Sequence, residues 1–184
     1  MSKVFQWDEL EIMRKSAEQL FATGRKPDKK KVEEFCDALE FVLCLIYAYG
    51  WKDAEEIIGI VPMKDRLDDT AVNLEIKGET FRDRITADST YEEVLRVIDT
   101  EAHRDYNTGV YDAAAESGND GLSKMWVTMN DDRVRDTHEY LEGTVVGLND
   151  RFYTYDGDSA LYPGGFDDPR NNVNCRCGIS LVKE

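Results

Sequence analysis

The residues of this chain best suited to chemistry are two cysteines and a histidine in its last third. Cys175 and Cys177 are separated by one residue, and His138 lies in a polar stretch before them. Sulfur and imidazole nitrogen are ligands that Zn²⁺ prefers, and alternate residues of a strand point to the same face. The sequence therefore predicts that His138, Cys175 and Cys177 can share one zinc ion. Asp132 or Asp136 would supply a fourth ligand.

Other interpretations of the cysteine pair remain open. Both thiols can pack as small apolar groups in the core, with Arg176 between them turned toward carboxylates, and the sequence favours this interpretation. A Cys175–Cys177 disulfide is disfavoured by ring strain and by the reducing compartment expected for a chain that starts without an apolar signal segment. A cysteine nucleophile activated by His138 and Asp136 is a further alternative.

The stretch from residue 131 to 138 also allows an enzyme. Asp132, Asp136 and His138 could hold a divalent ion for a metal-dependent hydrolase or nuclease. However, the sequence has no serine elbow, phosphate-binding loop or HExxH motif. An ion-paired turn, in which Arg133 and Arg135 neutralise neighbouring carboxylates, explains the same residues. We therefore expect a protein that is not an enzyme, with the hydrolase as the alternative.

Charge and hydropathy limit the partners. The chain has 184 residues and a net charge of −15, from 38 acidic and 23 basic side chains. Phosphate repels such a chain, so direct nucleic-acid binding is not expected, whereas a basic protein surface would suit it. The longest apolar run, Phe41 to Tyr49, has nine residues, well below the roughly 20 needed to cross a membrane. We expect no membrane partner.

The elements that position these residues begin with a helical region, predicted over residues 1–78. One helix is predicted to start at Asp8 and stop at Gly24, a second to stop at Gly50, and a short third to be capped by Asp53. Because the Phe41 to Tyr49 run is apolar on every side, it is predicted to be central core or a subunit interface. A helix-turn-helix is disfavoured because its second helix would be acidic. The buried stripe of the second helix is predicted to comprise Val32, Phe35, Cys36, Leu39, Val42, Leu43 and Ile46.

Residues 79–184 are predicted to form a second domain. A capping box of Ser89 and Glu92 starts a long helix that reaches about Glu116. Four strands follow, in KMWVTM, TVVGL, RFYTY and CRCGISLV, with a long loop before the last. The fold class is therefore α+β: a helical N-terminal half, and a long helix packed on a small antiparallel sheet in the C-terminal half.

The order and spacing of these motifs resemble the phage Mu F-like minor head protein family, also called phage head morphogenesis proteins. The resemblance covers residues 80–184. The residues that carry it lie on the long helix, the first strand, the polar turn, the loop and the end of the chain. They are Glu101, Arg104, Asn107, Lys124, Trp126, Asp132, Arg133, Arg135, His138, Gly143, Pro163, Pro169, Asn174, Cys175, Arg176 and Cys177.

The resemblance implies a minor capsid protein of the phage head, assembled in the cytoplasm of a bacterial host. Its partners would be portal or capsid proteins, and its roles head morphogenesis and early DNA delivery. The acidic surface and the Phe41 to Tyr49 helix would dock on that partner or join copies into an oligomer. The family's domain also occurs fused to toxins, and we expect no toxin domain here. The resemblance does not specify a cofactor, so zinc remains a candidate from the residues alone.

Overall fold

The computed structural model describes residues 7–63, Asn73, Glu75 and 78–183. The segment AVNLEIKG, residues 71–78, has a pattern that allows a strand, and five of its eight residues lie outside this part. The described elements, in chain order, are α1 (Asp8–Phe21), α2 (Lys29–Ile58), α3 (Phe81–Arg84), α4 (Tyr91–Glu116), β1 (Leu122–Val127), α5 (Asp136–Glu139), β2 (Val145–Gly147), β3 (Phe152–Tyr153), β4 (Ser159–Ala160), α6 (Pro169–Asn172) and β5 (Gly178–Lys183).

Helix α2 does not stop at Gly50 as predicted, but continues to Ile58. A Cβ on Gly50 would lie 2.0 Å from the backbone oxygen of Tyr106 in α4. On α4, a Cβ on Gly109 would lie 2.1 Å from the backbone oxygen of Tyr47. Gly50 is therefore required by the close crossing of two helices, because only a residue without a side chain fits there.

The short third helix predicted from Asp53 is the last part of α2. Asp53 lies inside the helix and accepts a hydrogen bond of 2.7 Å from the Tyr106 hydroxyl. The helix ends instead at Gly59, whose φ of +89° is accessible mainly to glycine. The predicted buried stripe is confirmed, since all seven of its residues are buried.

The Phe41 to Tyr49 run is partly core and partly surface. Val42, Leu43, Ile46 and Tyr47 are buried, whereas Phe41 is 65% exposed. The remaining residues of the run are half-buried. One side of this helix therefore builds the core, and the other side leaves apolar groups in contact with solvent.

Helix α4 begins one residue later than predicted, because its capping box uses Thr90 and Glu93. Glu93 N–H donates to the Thr90 hydroxyl at 3.3 Å, and Thr90 N–H donates to the Glu93 carboxylate at 2.8 Å. The Ser89 hydroxyl oxygen instead accepts a hydrogen bond of 2.9 Å from the N–H of Thr86. The helix reaches Glu116 as predicted.

The central sheet is antiparallel with the order β2-β1-β5. Trp126 of β1 lies opposite Ile179 of β5, and the strand face that carries Trp126 is buried. The predicted RFYTY strand does not join this sheet, because β3 pairs with β4 in a separate two-stranded ribbon. β5 starts at Gly178, so Cys175 and Cys177 lie in the segment leading into the strand.

The α+β class with a long helix on a small antiparallel sheet is confirmed. Helix α4 packs on α1, α2 and β5. Buried side chains from both sides of residue 78 belong to one apolar cluster. The division into two domains at residue 78 remains a prediction. Within the described part of the chain, each helix is too short or too polar to cross a membrane.

Candidate functional site

The candidate site is a buried cluster of His138, Cys175 and Cys177. Nδ1 of His138 lies 3.5 Å from the sulfur of Cys175 and 3.5 Å from the sulfur of Cys177. The three ligand atoms lie within 4.8 Å of one another, and each residue is at most 5% exposed. The structure therefore brings together the three residues that the sequence singled out.

Arg135 positions the helix that carries His138. Its guanidinium donates to the backbone oxygen of Asn171 at 2.8 Å and to that of Val173 at 2.6 Å. Arg135 directly precedes α5, and Val173 lies two residues before Cys175. This side chain therefore ties the histidine turn to the segment that leads into the cysteines.

Arg176, which lies between the two cysteines, provides a second tie between their segment and the histidine turn. It donates to both carboxylate oxygens of Asp131, at 2.8 and 2.6 Å. These bonds, opposed by desolvation, lower the pKa of Asp131 to about 2. The sequence-based expectation that Arg176 turns toward a carboxylate is confirmed.

Asn107 of α4 holds the other side of the same segment. Its amide donates to the backbone oxygen of Cys177 at 3.0 Å and accepts from the N–H of Ile179 at 3.1 Å. A neighbouring strand would make the same pair of bonds. Asn107 therefore replaces a strand at the edge of β5 and fixes the position of Cys177.

Asn172 makes an equivalent pair of bonds with Phe166 in the long loop. Phe166 N–H donates to the Asn172 side chain at 3.0 Å, and that side chain donates to the Phe166 backbone oxygen at 2.6 Å. The Phe166 ring stacks on the His138 ring with centroids 5.4 Å apart. The long loop is therefore held in place and covers the site.

Aromatic rings enclose the imidazole. Trp126 meets His138 edge-on at 5.3 Å between centroids, in addition to the Phe166 stack. Nε2 of His138 is buried and has no hydrogen-bond partner among the described residues. The ring therefore presents only its Nδ1 side to polar atoms of the site.

The two thiols differ in acidity. The Cys175 pKa lies well below its usual range, because a hydrogen bond from Cys177 and then one from His138 stabilise its thiolate against the cost of burial. The Cys177 pKa is raised, because its thiol donates to Cys175 and is buried. The site therefore favours ionisation of Cys175 over ionisation of Cys177.

Asp132 and Asp136 do not join this cluster, which corrects their prediction as ligands. Both are exposed, and the described part of the chain holds only His138, Cys175 and Cys177 in a group able to share an ion. Asp136 precedes His138 by two residues of α5, so its side chain is rotated by about 200° around the helix.

A buried ionic cluster on α4 was not foreseen. The i,i+3 spacing of Glu101 and Arg104 is typical of a pair that supports its own helix, but both residues are also buried. Glu101 accepts from Arg84 at 2.6 Å and also pairs with Arg104. Arg104 lies under Gly164, where a Cβ would approach within 2.9 Å of its side chain. The loop thus covers these charges.

Lys124 is also buried, and polarity alone would have placed it on the surface. Its amine donates to the backbone oxygen of Leu148 and lies 5.0 Å from the Tyr111 ring centroid. Desolvation lowers its pKa to about 8, partly offset by Asp150. Its position on the same strand face as Trp126 was the sequence signal that could have revealed its burial.

The sequence profile described as phage Mu protein F like protein matches residues 70–180. A relative from Enterococcus faecalis, named NAD(+)--arginine ADP-ribosyltransferase EFV, is 34% identical over 93 residues, which are 49% of this chain and 19% of that protein. Minor head protein GP7 of Bacillus phage SPP1 is 29% identical over 84 residues, which are 45% of this chain and 27% of that protein.

The matched segments thus span about a fifth to a quarter of these curated relatives. No solved structure matches. The profile covers more than half of the chain and includes α4, β1, β2, the histidine turn, both cysteines and the start of β5. This chain belongs to the phage Mu F-like protein family.

Proposed function

We propose that the chain is a minor head protein, with a structural role in assembling a phage head. The observation that carries this proposal is the family match over residues 70–180. A named minor head protein is among its relatives. The chain would act in the bacterial cytoplasm during assembly and then reside in the virion, bound to portal or capsid proteins.

The bonding of the motif residues supports a structural role. Asn107 and Arg135 use their polar atoms to hold backbone groups, and Arg176 uses its own to hold Asp131. His138 is buried under two aromatic rings. Catalytic groups need to reach a substrate, whereas these groups fix one arrangement of loop, turn and strand.

A surface stripe on α2 suits a docking role. Phe41 is 65% exposed, and Cys44, Leu45, Ala48 and Tyr49 are half-buried. Their spacing of three and four residues places them along one side of the helix. Because the net charge is −15, the partner surface is expected to combine apolar groups with basic ones. We call these five residues the α2 stripe.

Co-purification with the portal protein of the same phage tests this docking. We expect Phe41→Ser to weaken binding at least tenfold, and higher salt to weaken it further. Tyr153→Ser is the matched control, because Tyr153 is an aromatic residue of β3 with 64% exposure. Equal binding by the Phe41 variant and the original chain would rule out the α2 stripe.

Self-association through the same stripe is the competing use of this surface. Sedimentation of the purified chain over a range of concentrations distinguishes the two. If copies join through the stripe, Phe41→Ser yields monomers while Tyr153→Ser does not. If the original chain is a monomer at every concentration, the α2 stripe does not join copies of the chain and remains available to bind a different protein.

Early DNA delivery is a second role that we include in the proposed function. Virions would be probed with an antibody to the chain before and after DNA release. A role in delivery predicts that the chain leaves the head with the DNA. Complete retention in emptied heads would restrict the chain to assembly.

A second candidate function is suggested by the relative named as an ADP-ribosyltransferase, although the matched residues are 19% of that protein. Incubation with labelled NAD⁺ and an arginine-containing acceptor protein tests it. We expect no transfer of label. Transfer that disappears in a His138→Ala variant of normal fold would replace the structural role by an enzymatic one.

The metal-dependent hydrolase is not favoured, since Asp132 and Asp136 are exposed and separate from His138. Plasmid DNA incubated with the chain and Mg²⁺ or Mn²⁺ should remain intact. Nicking that is lost when Asp132 and Asp136 are substituted would instead support the metal-dependent hydrolase.

A further inference from the structure

We propose that His138, Cys175 and Cys177 bind one Zn²⁺ ion, with a water molecule as fourth ligand. The ion would join helix α5 to the segment entering β5, which are 37 to 39 residues apart in sequence. This proposal rests on the geometry of the site and is independent of the role in the phage head.

The distances match a tetrahedral zinc site. Zinc lies about 2.3 Å from a thiolate sulfur and about 2.05 Å from an imidazole nitrogen. At a tetrahedral angle, these two ligands must be about 3.6 Å apart. Both sulfurs of the site lie 3.5 Å from Nδ1 of His138. Both nitrogen-to-sulfur distances therefore match those of a zinc site, and all three ligand atoms lie within 4.8 Å of one another.

Hydrogen bonding among the three side chains explains these distances less well than a bound ion does. Nδ1 of an imidazole either accepts one hydrogen bond or donates one, so it can bond only one of the two sulfurs at a time. Both Cys175 and Cys177 nevertheless lie at the same distance from that nitrogen. A cation between one nitrogen and two sulfurs accounts for both contacts together.

A small cavity borders the three ligands. It has a volume of about 10 Å³, and its other lining residues are Met129, Arg133, Val134, Arg135, Asn174 and Arg176. This is close to the volume that a single water molecule needs. No fourth cysteine, histidine or carboxylate joins the group among the residues that the structure describes. Water is therefore the fourth ligand.

The charge and softness of the ligands select the metal. Two thiolates neutralise the double charge of the ion, which lowers the cost of placing it in a site where all three ligands are buried. Thiolate and imidazole ligands favour zinc over magnesium and calcium, which prefer oxygen. The rings of Trp126 and Phe166 pack against the His138 imidazole and hold it in place.

Metal analysis of the intact purified chain tests the proposal. We expect about one zinc ion per chain, and at least a tenfold loss of bound zinc in Cys177→Ser. The matched control is Cys44→Ser, which changes a half-buried cysteine of α2 and should keep its zinc. Zinc that binds equally to both variants would overturn the assignment.

Cobalt gives a readout that does not depend on how well a variant folds. The original chain is stripped of metal under mild conditions and Co²⁺ is added. We expect thiolate-to-cobalt charge-transfer absorption together with the visible bands of four-coordinate cobalt, both displaced by Zn²⁺. If neither Co²⁺ nor Zn²⁺ binds to the folded chain, the site is a packed pair of thiols and the proposal fails.

Discussion

Buried polar side chains of this protein act mainly as clamps on the backbone. Asn107 supplies both a donor and an acceptor to the edge of β5, and Asn172 does the same for Phe166. An asparagine amide is suited to this task because it carries both kinds of group on one short side chain. Each clamp fixes an irregular segment that sheet pairing alone leaves unsupported.

The Asn107 clamp can be tested by truncation. Asn107→Ala leaves the oxygen of Cys177 and the N–H of Ile179 without their partner in a buried region. Two unsatisfied groups of this kind cost about 3 kcal/mol. Urea unfolding should show this loss, whereas the exposed Asn149→Ala should change the free energy of unfolding by less than about 0.5 kcal/mol. A loss no larger than the control's would show that the clamp is dispensable.

Lys124 should make stability depend on alkaline pH. Its folded pKa is about 8, below its ordinary value of 10.5. The folded state therefore binds fewer protons than the unfolded state between these values, and stability rises as pH increases through that window. Below pH 8 the charged amine costs the folded state roughly 3 kcal/mol.

Lys124→Met removes this titration. The difference in unfolding free energy between the original chain and the variant should grow in favour of the original from pH 8 to pH 10.5. Lys52→Met, which changes an exposed residue of α2, serves as the comparison and should give a constant difference. A constant difference for Lys124→Met as well would show that Lys124 titrates normally.

At the scale of elements, the crossing of α2 and α4 organises the helical part. Gly50 and Gly109 let the two backbones approach until a Cβ on either would nearly overlap a carbonyl oxygen. The Tyr47 hydroxyl also bonds Asp112 of α4 at 2.9 Å. Glycine is costly inside a helix, so its presence on both helices indicates that close packing contributes more than helix propensity.

Substitution at the crossing should therefore destabilise the protein. Gly50→Ala gains about 1 kcal/mol of helix propensity, but places a methyl group 2.0 Å from the Tyr106 oxygen. Forced separation of the helices should lower the free energy of unfolding by about 3 kcal/mol or more. Thermal unfolding measures this loss. Gly121→Ala, whose nearest atom would be 3.6 Å away, should be close to neutral. A stabilised Gly50 variant would contradict the close crossing.

At the scale of the whole molecule, the family region shares its core with the N-terminal helices. Tyr106 and Val110 of α4 lie against α2 at the Gly50 crossing. Arg14 of α1 donates to Asp99 of α4 at 2.7 Å. Helix α4, which carries part of the family resemblance, thus packs on helices that lie outside the resemblance.

A fragment of residues 79–184 should consequently fail to fold cooperatively. Without α1 and α2, helix α4 exposes the side that packs on them, and a partly covered core cannot offset chain entropy. Circular dichroism should show a broad thermal transition for the fragment and a sharp one for the intact chain. A sharp transition of the fragment would instead make residues 79–184 an independent domain.

Much of the fold was accessible from sequence because it follows local rules. The spacing of apolar residues predicted α1, the buried stripe of α2, the C-terminal end of α4 and the strand containing Trp126. The predicted secondary structure was wrong where contacts between residues distant in sequence override local conformational preference. Gly50 signals a helix end, yet the helix continues because α4 crosses there. RFYTY has a strand pattern, but its partner is β4.

The sequence by itself determined the family, the α+β class and the identity of the three cluster residues. Residue type and order carry that information without any coordinates. Only the tertiary structure decided that His138 meets Cys175 and Cys177 while Asp132 and Asp136 remain in solvent. The reason is physical: Arg135 and Arg176 close a 37-residue separation, Asn107 fixes the cysteine segment on α4, and these bonds form only when the chain has folded.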